Sequence, residues 1–354
     1  MIRVLIVDDS NVIRQSTRFV LQSDPAIQVV GEASNGADAI VQVERLRPDV
    51  VTMDITMPKM GGLDAIREIM AAHPIPIVVV TALDLDRELN LAGQATRLGA
   101  VSILKRPAGI ATPDYRVFAG KLIEQVKLMS AVKVIRRTRV GAGVSHPVPP
   151  ADSAADSLPM PAKKIEIIAI GSSTGGPAAL HKILSALPGN LPVPILIVQH
   201  ISFGFVDGLA SWLNDASPLK IQVGHAGEKI APGQVYIAPD DRHMLVDSFG
   251  HLTLSPAAPV GGHRPSVTPL FESVARAFGR AAVGVILTGM GADGAIGMKA
   301  LRRAGALTLA QDEASSVVFG MPKEAIALGA VLRIVPLENI ARILQELVPA
   351  AVTV

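Results

Sequence analysis

Two groups of residues in this chain have the types and the spacing to do chemistry. The first is the loop Gly171-Ser172-Ser173-Thr174-Gly175-Gly176-Pro177, which follows an apolar run at 165–170 and precedes a helical pattern at 178–187. Within it, Gly171-x-Ser173-x-Gly175 fits a nucleophile elbow, in which glycines permit a tight strand-to-helix turn that exposes a serine hydroxyl. The helix start just beyond adds free N–H groups and a positive dipole end, which suit a developing oxyanion. The same kind of turn also binds phosphate or merely reverses the chain, so the loop alone leaves three readings open. It is not G-x-G-x-x-G, and no acidic residue closes a second strand about 20 residues on, which argues against a dinucleotide site.

A serine nucleophile needs a base, and the base needs an orienting carboxylate. The second half of the chain offers His181, His200, His225, His243, His251 and His263. His200 stands out because it ends the apolar run at 194–199, beside the point where the elbow opens, whereas His181 lies inside the helix after the elbow. Asp293 sits in Thr288-Gly289-Met290-Gly291-Ala292-Asp293-Gly294, directly after the apolar run at 282–287. A glycine-rich loop there can present both a side chain and backbone N–H groups; a plain turn aspartate is the competing reading.

The second group is acidic and lies in the first half. Asp8 and Asp9 follow the first apolar run and Asp54 follows the third; Thr81 ends the fourth, and Lys105 and Arg106 end the fifth. Ligands of parallel α/β sheets bind at the carboxyl ends of strands. Three carboxylates gathered there repel one another unless a cation neutralises them, and an all-oxygen donor set suits Mg²⁺.

The elements that must position these residues alternate. Apolar runs at 4–7, 28–30, 50–53, 77–80 and 101–104 are separated by amphipathic stretches at 12–21, 36–46 and 62–73, with another at 116–135. Runs at 165–170, 194–198, 234–238, 282–287 and 306–310 repeat the pattern. Both halves therefore predict α/β architecture, two doubly wound parallel-sheet domains. Between them, residues 138–164 carry five prolines and no aromatic, a Pro-rich linker. The expected organisation is 1–125, a helix end and linker at 126–163, and 164–354.

Composition narrows the class. The 354 residues are 49% hydrophobic and 18% charged, enough apolar material for real cores. No cysteine is present, which excludes disulfides, thiolate metal sites and cysteine nucleophiles. A net charge of +2, with aromatics at 3% and no helix-turn-helix pattern in the second half, argues against nucleic acid. No apolar run reaches the ~18 residues of a membrane span, and the start MIRVLIVDD turns acidic too early for a signal peptide. The expectation is a cytoplasmic protein without membrane insertion.

Residues 1 to about 125 resemble a response-regulator receiver domain, through Val7-Asp8-Asp9-Ser10, Met53-Asp54-Ile55-Thr56-Met57-Pro58 with Gly61-Gly62, Thr81-Ala82 and Gly99-Ala100. The resemblance implies phosphorylation of Asp54 by a histidine kinase. It implies Mg²⁺ on Asp9, Asp54 and the Thr56 carbonyl, with Asp8 helping through water, and Thr81 bonding the phosphoryl group. Two positions depart from the pattern: Arg106 stands before Pro107 where receivers carry lysine, with Lys105 one place earlier, and Ile103 stands where many carry an aromatic switch residue.

From about Lys164 onward the chain resembles the methylesterase domain of chemotaxis response-regulator methylesterases. The motifs are 171–176, Gln199-His200, Tyr236-Ile237-Ala238-Pro239, His263-Arg264-Pro265-Ser266-Val267, 284–294 and Val317-Val318-Phe319-Gly320-Met321-Pro322. The resemblance implies Ser173 as nucleophile, His200 as base and Asp293 as orienting carboxylate. The Met290 N–H would be an oxyanion donor, and Thr174 a hydrogen-bond partner of His200. The esterase site needs no cofactor, and the implied substrates are glutamyl methyl esters and glutamines of chemoreceptors. Ile201-Ser202 replaces a frequent Met-Pro after the histidine. Rival expectations are a receiver-coupled hydrolase of another ester or amide, and a non-enzymatic adaptor that only drains phosphoryl groups.

Overall fold

The computed structural model describes residues 1–81, 102–107, 109, 112–130 and 163–349. Linker residues 138–162, residues 131–135 of the last amphipathic stretch, Val101, Ala82 and the Gly99-Ala100 pair lie outside the described residues.

The first half forms a five-stranded sheet in the order β2-β1-β3-β4-β5, parallel throughout. Its strands are β1 (Ile2–Val7), β2 (Ile27–Ala33), β3 (Val50–Met53), β4 (Ile77–Thr81) and β5 (Ser102–Lys105). The described helices are α1 (Asn11–Gln22), α2 (Gly36–Leu46), α3 (Gly62–Ala72) and α4 (Pro113–Met129). Apolar side chains of β1 alternate between two cores. Leu5 and Val7 face α2 and α3, while Val4 and Ile6 face α1 and α4. Each fully buried aliphatic side chain contributes about 1.5–3 kcal/mol, and β3 and β4 are buried along their whole length because helices cover both faces.

The second half forms a seven-stranded sheet, also parallel throughout, ordered β14-β13-β12-β6-β7-β9-β8. The strands that matter for the site are β6 (Ile167–Ser172), β7 (Ile195–Gln199), β9 (Gln234–Ile237) and β12 (Ala282–Ile286). Outside them lie β8 (Lys220–Val223), β13 (Leu307–Gln311) and β14 (Arg333–Val335). The helices are α5 (Gly176–Ala186), α6 (Val206–Ala216), α7 (Val267–Phe278), α8 (Ala295–Arg303), α9 (Met321–Ala327) and α10 (Leu337–Leu347). One core lies under α5, α6 and α10, the other under α7, α8 and α9. The strand order reverses beside β6, with β12 on one side and β7 on the other, which puts a crevice at the carboxyl end of β6.

An antiparallel hairpin, β10 (His243–Val246) with β11 (Leu252–Ser255), was not expected from the sequence. Two four-residue strands give too short an alternation to register as a period. His181 is away from the crevice as expected: its ring stacks on Trp212 at 5.0 Å.

Candidate active site

Ser173 lies between the end of β6 and the start of α5, on the turn that the elbow pattern requires. Gly175 takes a φ of 78°, and a Cβ there would meet Val317 at 2.6 Å, so the turn admits only glycine. The Ser173 N–H donates to the Thr288 carbonyl at 3.0 Å, tying the serine loop to the loop after β12. Gly289 packs so closely that a Cβ would lie 2.7 Å from the Ser173 Cβ.

His200 follows β7 directly, and its N–H donates to the Ser172 carbonyl at 3.0 Å. The buried Gln199 side chain locks this junction. Its Nε2 donates to the carbonyls of Ser173 at 2.8 Å and His200 at 2.7 Å, while its Oε1 accepts from Ser172 Oγ at 2.6 Å. The serine loop and His200 are thus held together by one side chain. His200 Nε2 donates to Asp293 Oδ2 at 2.8 Å, and Nδ1 is buried with no hydrogen-bond partner. No hydrogen bond joins His200 to the Ser173 hydroxyl among the described residues.

Asp293 is the best-held carboxylate of the molecule's described part. Oδ1 accepts from Ser266 Oγ at 2.6 Å, Thr268 Oγ1 at 2.9 Å and Thr268 N–H at 3.2 Å. Oδ2 accepts from Val267 N–H at 2.7 Å besides His200. These donors form the first turn of α7, so the carboxylate sits at the positive end of that helix. Burial alone would raise its pKa. The His200 bond and charge, with Ser266 and Val267, outweigh that and hold it below the usual carboxylate range.

The expected bond from Thr174 to His200 is not formed. Asp293 occupies Nε2, Nδ1 has no partner, and the His200 N–H goes to Ser172. Thr174 supports the site through its backbone instead, its carbonyl accepting from Thr288 Oγ1 at 2.9 Å. The Met290 N–H is free of hydrogen bonds among the described residues, and its loop is fixed by Gly289, whose N–H donates to Val318 and whose carbonyl accepts from Gly320 and Met321. Sequence reasoning missed Ser266 and Thr268; the signal was a Ser-x-Thr at a helix start.

In the other sheet, Asp8, Asp9 and Asp54 each bring a carboxylate oxygen within 4.8 Å of the others. Asp8 and Asp54 are buried. Burial, with Asp54 and Asp9 nearby, pushes Asp8 up to about 6 against the opposing Ser10 N–H and Arg106. Burial also raises Asp54, against bonds from the Thr81 side chain and the Ile55 and Thr56 backbone and the charge of Arg106. The cation acting on both buried groups is Arg106, whose N–H donates to the Thr81 carbonyl at 2.9 Å; Lys105 pairs with Thr81 across the ladder.

The two sites meet through a small contact. Ser202 Oγ donates to the Ile103 carbonyl at 3.1 Å, and Ile103 and Ile201 pack on the buried Phe205. Val318 packs against the core beneath α4.

Two family descriptions match the chain: a response regulator receiver domain over residues 4–112 and a CheB methylesterase over 168–344. A "protein-glutamate methylesterase/protein-glutamine glutaminase 1" of Syntrophus aciditrophicus is 46% identical over 98% of this chain and 98% of its own length. A "protein-glutamate methylesterase/protein-glutamine glutaminase 4" of Myxococcus xanthus is 45% identical over 96% and 95%. The solved catalytic domain of Thermotoga maritima CheB methylesterase is 38% identical with a TM-score of 0.51, covering 52% of this chain and 99% of that one. A receiver sheet joined to a serine-elbow sheet is the architecture of a response regulator with an enzymatic output. Within that class, this chain belongs to the CheB methylesterase family.

Proposed function

We propose that this chain is a phosphorylation-regulated protein-glutamate methylesterase that also deamidates protein glutamine, acting on chemoreceptors. The observation that carries the reading is the His200–Asp293 bond made through Nε2, which leaves the buried Nδ1 without a partner on a residue whose backbone is bonded to the serine loop. Nδ1 is then the base nitrogen. Ser173 Oγ attacks the γ-carbonyl of a glutamyl methyl ester as its proton passes to His200 Nδ1. The same proton leaves with methoxide as methanol. Water then gives a proton to Nδ1 as it attacks the acyl-enzyme, and that proton passes to Ser173 Oγ as the serine leaves the glutamate side chain. With glutamine the leaving group is ammonia. Asp293 stays ionised and steadies the imidazolium, and the free Met290 N–H donates to the oxyanion.

Regulation belongs to the domain at 1–125, joined by 126–163 to the catalytic domain at 164–354. Asp54 accepts a phosphoryl group from a histidine kinase. The clustered Asp8, Asp9 and Asp54, with the Thr56 carbonyl, fit a Mg²⁺ ion: hard oxygen donors, among which burial first and the neighbouring carboxylates second raise Asp8. Bound there, such an ion would neutralise charge on the acceptor site. Thr81 and Arg106 then face the phosphoryl group. The Ile103–Ser202 and Ile103–Phe205 contacts support a receiver that covers the loop after His200 and hinders a bulky helical substrate. No helix among the described residues is long and apolar enough to cross a membrane.

The test is methanol release from methylated receptor and ammonia release from receptor carrying glutamine. Hydrolysis of small esters without either product would move the assignment to another substrate. Ser173→Ala should lower turnover by up to roughly 10⁶-fold. Removal of residues 1–160 should raise basal turnover; a fall would contradict occlusion.

A further inference from the structure

His263 lies beside the triad but has no part in the mechanism above. Its ring lies flat on that of His200, with centroids 4.0 Å apart and planes within 5°. The backbone that presents it is fixed on both sides. His263 and Val260 exchange both backbone hydrogen bonds at 3.0 Å across a turn made by Gly261 and Gly262. The next residue, Arg264, donates to Asp241 Oδ1 through Nε at 2.8 Å and to the Pro256 and Ala257 carbonyls at 3.1 Å. Two places further on, the Ser266 N–H donates to Nδ1 of the buried His243 at 3.2 Å, while the Ser266 hydroxyl holds Asp293. The chain around His263 is therefore anchored to the frame that seats the orienting carboxylate.

We propose that His263 is a positioning residue for the reaction: its flat ring fixes the plane of His200, keeping Nε2 on Asp293 and Nδ1 free for the serine proton. The proposal rests on the triad reading and goes beyond it by assigning a second imidazole. The stack covers one face of the His200 ring, whose side chain is only 10% exposed, and so keeps water from the Nε2–Asp293 bond. A single hydrogen bond leaves an imidazole free to rock about its axis, and a parallel ring removes that freedom. The groups facing His263 are His200, Asp293 and, from α4, Lys121. Burial first, then the charges of His200 and Lys121, push His263 below the usual histidine range, against the pull of Asp293. That favours a neutral His263 beside a protonated His200, with its π face stacked on that ring.

The experiment compares His263→Ala and His263→Phe in the full chain, reading methanol release and the downfield proton resonance of the His200–Asp293 bond. His263→Ala should lower kcat about 10- to 100-fold, as misplaced catalytic groups do, with KM within about threefold of the parent. The downfield resonance should broaden or vanish. His263→Phe, which keeps a flat ring and cannot titrate, should recover most of kcat and the resonance. Parental kcat in His263→Ala overturns the proposal. So does His263→Phe turning over as slowly as His263→Ala, because the proton-bearing nitrogens would then matter and not the ring. Ser173→Ala run alongside separates the two layers: residual turnover there would defeat the triad itself, whatever His263 does.

Discussion

The two halves of the molecule each bury aspartates at the carboxyl end of a parallel sheet, and treat them in opposite ways. Asp293 is surrounded by five donors and is held below the usual carboxylate range. Asp8 and Asp54 are buried beside other carboxylates and are pushed up. A carboxylate seated at a helix start is finished by the protein alone and can serve an imidazole at once. A carboxylate cluster short of compensating charge keeps a repulsion that a cation would relieve, as the proposed phosphoryl acceptor requires. The esterase site is preorganised, and the receiver site is poised.

The most damaging way to probe this contrast is to remove the charge of Asp293 while keeping its shape. Asp293→Asn should cut kcat by about 10⁴-fold, the scale seen when a triad carboxylate becomes an amide and the histidine tautomer is lost. Methanol release by single turnover would measure it, and a loss below about tenfold would mean that His200 does not depend on that seat.

The receiver side yields a stability effect of opposite sign. Asp8 has a folded-state pKa above its unfolded value, so the folded protein binds more protons between about pH 4 and 6. Receiver stability should therefore fall as pH rises through that window, by up to roughly 3 kcal/mol at neutral pH from this group. Thermal melts of Asp8→Asn should show a higher midpoint at pH 7 and a flatter pH dependence than the parent. Millimolar Mg²⁺ should raise the parent's midpoint and leave that of Asp8→Asn nearly unchanged. A parent midpoint that climbs from pH 4 to 7 without Mg²⁺ would contradict the poised state.

The smallest expected effect concerns the seat itself. Ser266→Ala removes one of three donors to Oδ1, and a lost bond to a charged acceptor of this kind costs roughly tenfold in kcat. The decline should appear in kcat and steepen in acid, because Asp293 is then easier to protonate. Adding Thr268→Val should deepen it, since the same oxygen loses a second side-chain donor.

Much of this was legible locally. Apolar runs flanked by helical periods marked ten of the strands that build the two sheets and both site edges, and glycine spacing located the serine turn. The β8 and β14 edge strands and the β10–β11 hairpin were not legible, because polar and apolar residues mix within three or four positions and leave no apolar run. Arg106 shows a subtler limit. Its place beside Pro107 left open whether it or Lys105 faces the acids, and the pairing of Lys105 with Thr81 across β4 and β5 puts Arg106 at the strand end, acting on Asp8 and Asp54.

What the sequence determined by itself was the set of reactive groups and the strand ends that carry them, because turn geometry and burial period are local properties. The tertiary structure alone decided how those groups engage. Asp293 meets its seat across 25 to 27 positions and His200 across 93, so no local pattern could encode which nitrogen it takes. That choice, and the ring of His263 laid against His200, follow from how separate strands and one helix start converge in space.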